Sequence, residues 1–413
     1  MRKVVITGMG AVTPIGNNVA DMWDSMIHGR HGIDEITHFD TSDIPIKLAA
    51  EVKGYDASEY MSRKDMNRYD PYTVFGIGAA SQAADSSKII GNVDPERIGV
   101  YFSSGIGGLT TLEKAERALL KDGPQKVSPF AVPAMIANSA AALIAIKYNC
   151  LGSCLSVSTA CASSAHAIGE AYRAIKDGYM DAAIAGGADA VINPIGAASF
   201  NACRALTKST EPDRASIPFD AERNGFVIGE GGGAVVLEEY EHAKQRGAKI
   251  YAEICGYGTT CDAFHITHPA PDANGAARAV KQAVQECGID TEYIYINAHG
   301  TSTKLNDELE TLAIKKALGK AAARKAIVSS TKSMTGHLLG GAGAVEAVVS
   351  VMALREGIIP PTIGYKVKDD KCDLDICPNI VRKAKVELAL SNSFGFGGHN
   401  ACLAFKKCPG ENM

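Results

Sequence analysis

Residues 154–175 read CLSVSTACASSAHAIGEAYRAI, and residues 325–354 read KAIVSSTKSMTGHLLGGAGAVEAVVSVMAL. Each passes from a short β-branched run through a turn of small polar residues into a helix-like stretch, the plan of one α/β unit. The correspondence extends outward in both directions. DPERIGVYFSSG (94–105) matches DTEYIYINAHG (290–300), each an acidic entry, a buried strand and a small-residue turn. AAIAGGADAV (182–191) followed by GGGAVVLEEY (231–240) matches VELALSNS (386–393) followed by NACLAFKK (400–407). Three pairs in one order point to a duplicated unit, with a first half over 1–250, closed by the helix-like EEYEHAKQRG, and a second over 251–413. After Cys161, the residues Ala165, Ile168, Tyr172 and Ile175 fall three and four apart on one helical face. Its counterpart, 342–354, is apolar almost all round, as a helix buried between layers must be. Two mixed sheets enclosing central helices, with further helices outside, give an α/β fold in five layers, αβαβα, whose strand ends converge on one site.

Composition bounds the function. The chain has 413 residues, 46% of them hydrophobic and 21% charged, which is a globular balance. A formal charge of −4 supplies no basic field for nucleic acid. Apolar runs such as AVVSVMAL fall short of the roughly 18 residues of a membrane span, so no membrane partner is expected. The opening MRKVVITGMGAVTPIG is broken by glycine and proline before a signal-peptide core forms, and it carries no Arg- and Ser-rich leader. Eleven cysteines without paired C-x-x-C spacing predict a reducing cytoplasm, with most thiols acting as small buried hydrophobes.

Cys161 is the exception among them. It sits at the expected start of a helix, where unpaired N–H groups and the helix dipole favour thiolate, and its small neighbours let backbone donors approach a reacting carbonyl. Two imidazoles end strands in the second half: His299 in NAHGTST and His337 in STKSMTGH. Lys332 lies in the second of these turns, and Glu346 interrupts the apolar helix beyond, so the two are expected to pair as buried charges must. NSFGFGGHN (392–400) is a glycine-rich turn able to present Phe394, Phe396 or a backbone donor. Gly8-Met-Gly10 lacks the dinucleotide spacing, and GEGGG (229–233) leads into a strand, so neither is a phosphate cradle. Cys261, His265 and His268 lack the spacing for a fourth metal ligand, and no metal is expected. Arg63, Lys64, Arg68, Lys126, Arg204 and Lys208 are either a patch for an acidic partner or scattered solvated charges.

Taken together, VSTACASS, NAHGTST, STKSMTGH and NSFGFGGHN, in that order, resemble the β-ketoacyl-acyl carrier protein synthases of the second type, and the likeness runs from VVITGMGAVTPIGN to the last strand. The resemblance implies a duplicated thiolase-like fold, a homodimer, a cytoplasmic home and a decarboxylative Claisen condensation that lengthens acyl chains by two carbons. By the same resemblance, Cys161 takes the acyl chain, and the backbone N–H groups of Cys161 and Phe396 hold the oxyanion. His299 and His337 steady the malonyl enolate, and Lys332 with Glu346 sets the field around His337. Thr301 and Thr303 contact the pantetheine arm, Phe396 gates the site, and Ile106 and Phe200 line the acyl pocket. The acyl carrier protein is the partner that meets the basic patch, and it brings its own phosphopantetheine, so no further cofactor is implied. Lys304 and His399 depart from the family's usual proline and threonine, outside the reacting groups.

Rivals differ in the third group. A thiolase would use a second cysteine, for which Cys402 is the candidate, and an initiating synthase would carry Asn in place of His337. A non-enzymatic chain-length partner would have lost Cys161. A type II polyketide ketosynthase would keep every one of these residues. Because both imidazoles must be neutral donors, the rate is expected to fall when either protonates at low pH.

Overall fold

The computed structural model describes residues 2–408. Ten strands build its main sheet: β1 (Val4–Val12), β2 (Ile98–Ser103), β3 (Cys154–Leu155), β4 (Ala182–Asp189), β5 (Gly231–Glu239), β6 (Ala252–Cys261), β7 (Ile294–Asn297), β8 (Ile327–Ser329), β9 (Leu388–Gly395) and β10 (His399–Lys406). Their spatial order is β8-β7-β9-β10-β6-β1-β5-β4-β2-β3. Counted inward from either edge, each five-strand half runs third, second, fourth, fifth, first in chain order. The ladders repeat as well: the outer three strands of each half are parallel and the inner two antiparallel.

The two sheets expected from sequence are joined along one edge. β1 and β6 pair antiparallel through Val4, Val5 and Ile6 against Ile254, Glu253 and Ala252. The reason is local, since each would otherwise leave an unpaired edge beside the other.

Six helices fix the layers: α1 (Pro71–Ser87), α2 (Leu109–Asp122), α3 (Ser163–Lys176), α4 (Asn274–Cys287), α5 (Lys304–Leu318) and α6 (Ala342–Glu356). α3 and α6 form the middle layer. Ala165, Ile168, Tyr172 and Ile175 of α3 share one core with Val345, Val348 and Val349 of α6 and with strand residues of both halves, among them Val4, Val235, Ile254 and Leu403. α1 packs in a separate core against Val100, Phe102, Ile184 and Val236, and α4 packs in a third against Ile296, Leu390 and Cys402.

Glycine decides how closely the outer helices approach. A Cβ at Gly8 or Gly10 would stand 2.1 or 2.0 Å from the carbonyls of Ala83 and Ala79 in α1, and one at Gly256 or Gly258 would stand 2.1 or 1.8 Å from those of Ala283 and Ala279 in α4. Gly8 and Gly10 lie within β1, where they seat a helix rather than a phosphate. Among the described residues no helix is long and apolar enough to cross a membrane.

The cysteines depart from expectation. Cys255 in β6 and Cys287 at the end of α4 form a disulfide, their Cα atoms 4.5 Å apart across that same close helix–strand contact. A separation of 32 residues hides the pair from any local motif. Cys154, Cys203 and Cys261 are exposed rather than buried.

Candidate active site

Cys161 lies in a short 3-10 turn (Ala160–Ala162) that runs directly into α3, so its sulfur stands at the start of the central helix. Ala160 takes a left-handed φ of 51°, which turns the chain sharply into that position. Ser163 locks the turn from within: its hydroxyl donates to the Ala160 carbonyl (2.6 Å) and accepts from the Thr159 N–H (2.9 Å). Thr159 is held in turn by His166 Nδ1 at 2.8 Å, whose Nε2 meets Thr259 Oγ1 at 3.0 Å.

A cavity of about 360 Å³ brings Cys161 together with His299, His337, Phe200, Phe226, Thr301, Thr303, Phe394, Phe396 and Arg204. The two catalytic candidates from β7 and β8 lie edge to face, ring centroids 5.3 Å apart. Phe226 flanks His337 at 5.2 Å, and Phe394 flanks His299 at 5.8 Å. Both rings are buried, and the Nδ1 of each has no hydrogen-bond partner among the described residues. Burial holds both imidazoles well below the ordinary value of 6.5, and the nearby Lys332 ammonium lowers them further. Each is therefore a neutral group at physiological pH.

Lys332 and Glu346 are buried and paired, the Lys332 ammonium donating to Glu346 Oε1. Burial pushes the Glu346 carboxyl up, and Lys332 pulls it back. The sulfur itself corrects the expectation of a resting thiolate. Burial pushes the Cys161 thiol up to about 12, against the pull of Lys332 and a backbone N–H and with the push of Asp189. A helix start does not outweigh desolvation here, so the thiol is protonated at rest and must lose its proton as it attacks.

The glycine-rich turn closes the other side. A Cβ on Gly395 would stand 2.6 Å from the Thr159 carbonyl, 3.2 Å from the Cys161 nitrogen and 3.3 Å from the Ala162 nitrogen. Only glycine lets Phe396 and its N–H reach so near the sulfur's own backbone. The turn is latched to the segment after β6: Gly397 N–H donates to the Ile266 carbonyl (2.7 Å), Asp262 N–H to the Gly398 carbonyl (2.9 Å), and Asn400 Nδ2 to Asp262 Oδ1 (2.7 Å).

Several supporting groups escaped the sequence reading. Glu310 of α5 accepts the N–H groups of His299 and Gly300, both at 2.8 Å, and Asn392 Nδ2 at 3.1 Å, so a buried carboxylate holds the first imidazole's turn. Burial pushes it up to about 7 against those three bonds. Arg223, fully buried, donates to the carbonyls of Thr303 (3.2 Å) and Lys304 (2.9 Å) and to Asp369 (2.6 Å), fixing the entry to α5. The available signal was acidic residues on a buried stripe: Asp307 and Glu310 share a face with Thr311 and Ile314. Nearby, Asn297 Oδ1, Glu346 Oε2, Asn392 Oδ1 and the hydroxyls of Ser391 and Ser393 are buried with no hydrogen-bond partner among the described residues.

Other expected residues are placed differently. Ile106 is 40% exposed and does not line this cavity, because its turn is drawn onto Asp189. Of the six basic residues only Arg204 reaches the cavity. Arg68 stacks at 4.1 Å on Phe130, and Arg63, Lys64, Lys126 and Lys208 are exposed. Cys402 is fully buried on β10 and absent from the cavity. His265 and His268 touch through Nδ1 at 3.0 Å, yet among the described residues no three His, Cys, Asp or Glu side chains form a metal-binding group.

Comparison with known proteins places the chain in a family. Residues 1–243 match the family described as Beta-ketoacyl synthase, N-terminal domain, and 251–366 match Beta-ketoacyl synthase, C-terminal domain. The chain belongs to the β-ketoacyl synthase family. Among its relatives in that family are proteins named 3-oxoacyl-[acyl-carrier-protein] synthase 2: from Synechocystis, 50% identical over 98% of both chains, and from Vibrio cholerae, 47% identical over 98% of this chain and 99% of the other. Among solved β-ketoacyl synthase structures, one from Burkholderia phymatum superposes with a TM-score of 0.91 at 32% identity, covering 99% of this chain and 100% of that one. A ketosynthase solved with its type II polyketide acyl carrier protein and bound to a hexaketide gives the same score and identity, over 98% of this chain and 100% of that one.

Proposed function

We propose that this chain is an elongating 3-oxoacyl-acyl carrier protein synthase of fatty-acid synthesis. The observation that carries the reading is one cavity holding a thiol at a helix start and two neutral imidazoles, backed by a buried lysine–glutamate pair.

In the first half-reaction, Cys161 Sγ attacks the acyl thioester of a loaded carrier. Its proton leaves with the departing pantetheine thiol, and a thioester forms on the enzyme. The Cys161 and Phe396 N–H groups receive the transient oxyanion; one such donor is worth roughly 2.7–4 kcal/mol of barrier. In the second, malonyl-carrier loses carbon dioxide, and His299 and His337 donate to the thioester oxygen as the enolate forms. That carbon attacks the Cys161 thioester, the new carbon–carbon bond forms, and the cysteine sulfur is released. Lys332, held by Glu346, keeps both rings in their donor form. Thr301 and Thr303 bind the pantetheine arm, Phe200 and Phe394 wall the acyl and malonyl space, and the carrier itself docks on Arg63, Lys64, Arg68, Lys126, Arg204 and Lys208. On this reading residues 1–250 carry the nucleophile and 251–413 the two imidazoles and the gate.

A homodimer in the cytoplasm completes the proposal. α2 has no buried residue, and Leu112, Leu119 and Leu120 on it are exposed, as are Val132, Leu151 and, on the edge strand β3, Leu155. An exposed edge and apolar face of this kind support a second copy of the chain as the occupant. The polyketide reading is favoured by the ketosynthase fold neighbours, but those stand at 32% identity against 45–50% for the fatty-acid enzymes. Burial of Cys402 away from the cavity counts against a thiolase.

Intact-mass analysis tests the reading. Acyl carriers of several chain lengths should each leave one acyl mass on Cys161, and malonyl-carrier should then discharge it as a β-ketoacyl product. Acylation from coenzyme A thioesters alone would refute it.

A further inference from the structure

We propose that Asp189 is a positioning residue for the nucleophile, a buried carboxylate that clamps the turns around Cys161 and sets the negative charge against which its sulfur ionises. The proposal rests on the reading of Cys161 as the acyl-accepting thiol.

Asp189 ends β4 and is completely buried. Four donors converge on its two oxygens. The Ser104 hydroxyl and the Ile106 N–H (3.4 Å) donate to Oδ1, and the N–H groups of Gly105 (3.0 Å) and Gly340 (2.6 Å) donate to Oδ2. The first three belong to the turn after β2 in the first half of the chain. Gly340 belongs to the second half, three residues beyond His337. One side chain thus ties a turn of each half to a single point.

That point lies against the nucleophile. A Cβ on Gly105 would stand 3.0 Å from the Ala160 carbonyl, and one on Gly340 would stand 2.3 Å from the Gly105 nitrogen. The two clamped turns and the residue before Cys161 are therefore in van der Waals contact. Buried N–H groups without a partner are costly, and the carboxylate is the acceptor that the Gly105 and Gly340 N–H groups share, so it ties the two turns together.

Its charge matters separately. Burial pushes the Asp189 carboxyl up to about 6, opposed by the four hydrogen bonds, so it is ionised at neutral pH. Among the groups that act on Cys161, Asp189 and Glu346 oppose ionisation and Lys332 favours it, while His299 and His337 face the same cavity as neutral rings. Tyr72 is the other titratable group that feels Asp189. The carboxylate fixes the geometry around the thiol, and its charge adds to the burial that already disfavours thiolate.

Two isolated substitutions separate geometry from charge. Asp189→Asn removes the charge and turns an amide N–H toward the donors; Ser104→Ala keeps the charge and removes one donor. Peptide-resolved iodoacetamide labelling reads the Cys161 rate across pH, and quench-flow mass analysis reads its acylation from acyl carrier. In Asp189→Asn the labelling midpoint should fall by about one pH unit, equivalent to about tenfold more thiolate at neutral pH, while acylation drops at least about tenfold because an amide now faces N–H donors. In Ser104→Ala the midpoint should not fall, and acylation should still drop. A folded Asp189→Asn protein with an unmoved or higher midpoint overturns the electrostatic role. Parental acylation rates in both variants overturn the positioning role, and Ser104→Ala alone decides it if Asp189→Asn fails to fold. Failure of the unsubstituted protein to acylate would sink the proposed function instead, and the labelling experiment would still judge Asp189.

Discussion

Replacing Gly395 with alanine should disable acyl transfer while leaving the fold in place. The added Cβ would sit 2.6 Å from the Thr159 carbonyl oxygen and 3.2 Å from the Cys161 nitrogen. A carbon–oxygen contact relaxes at about 3.3 Å, so the two backbones must part by about 0.7 Å. The turn cannot simply pivot, because Gly395 pairs with His399 across the β9–β10 hairpin and accepts the Gly398 N–H at 3.2 Å. Overpacking of this kind costs about 1–3 kcal/mol of stability. The displaced group is the Phe396 N–H, and losing one oxyanion donor costs roughly 2.7–4 kcal/mol, or about 10²- to 10³-fold in rate. Single-turnover acylation of Cys161, quenched and read by intact mass, measures that loss directly. Malonyl-carrier decarboxylation is the internal comparison, since it uses His299 and His337, and it should fall less than about tenfold. A folded Gly395→Ala protein that acylates within about threefold of the parent would refute both the steric argument and the oxyanion assignment.

Other consequences follow from the same contacts. His299 and His337 have folded values below their unfolded ones, so the unfolded chain binds more protons and stability should decline as pH falls below about 6.5. The acid limb of the pH–rate profile should lie below that of a free imidazole, and a midpoint at about 6.5 would refute the burial argument. His38 behaves oppositely: a hydrogen bond to Glu230, with the charges of Glu230 and Glu51, raises it, so its stabilisation is present below about pH 6.5 and lost as pH rises through the higher folded value. Denaturant titrations should show His38→Gln weaker than the parent at pH 6 and converging with it at pH 9. Lys332→Met leaves Glu346 buried without its cation and should cost about 3–5 kcal/mol, read by urea unfolding; Glu346→Gln paired with it should recover part of that loss. Joining Cys255 to Cys287 closes a loop of 32 residues in sequence separation, for which chain entropy gives roughly 3–4 kcal/mol. Reductant should therefore lower the unfolding midpoint of the parent and leave the Cys255→Ala/Cys287→Ala variant unmoved.

The strand plan was legible because its signal is local. Runs such as IGVYFS and IYIN carry β-branched or small residues over one strand's length, and the pairing of such runs in the same order points to the duplication. The motifs around Cys161, His299 and His337 were legible for the same reason, since each is a short continuous stretch in the connection after one strand. What stayed hidden depends on distance along the chain. Asp189 and Gly340 lie 151 residues apart, Arg223 and Asp369 lie 146 apart, and Cys255 and Cys287 meet only because glycines let α4 settle onto β6. The protonation of Cys161 belongs to this second class. Its neighbours in sequence argue for thiolate, and only the surroundings contributed by both halves push the half-buried thiol up to about 12. Local sequence determined which groups stand at the strand ends. Tertiary packing decided their ionisation and their backbone supports, because desolvation and long-range hydrogen bonds exist only once the two halves have closed around α3 and α6.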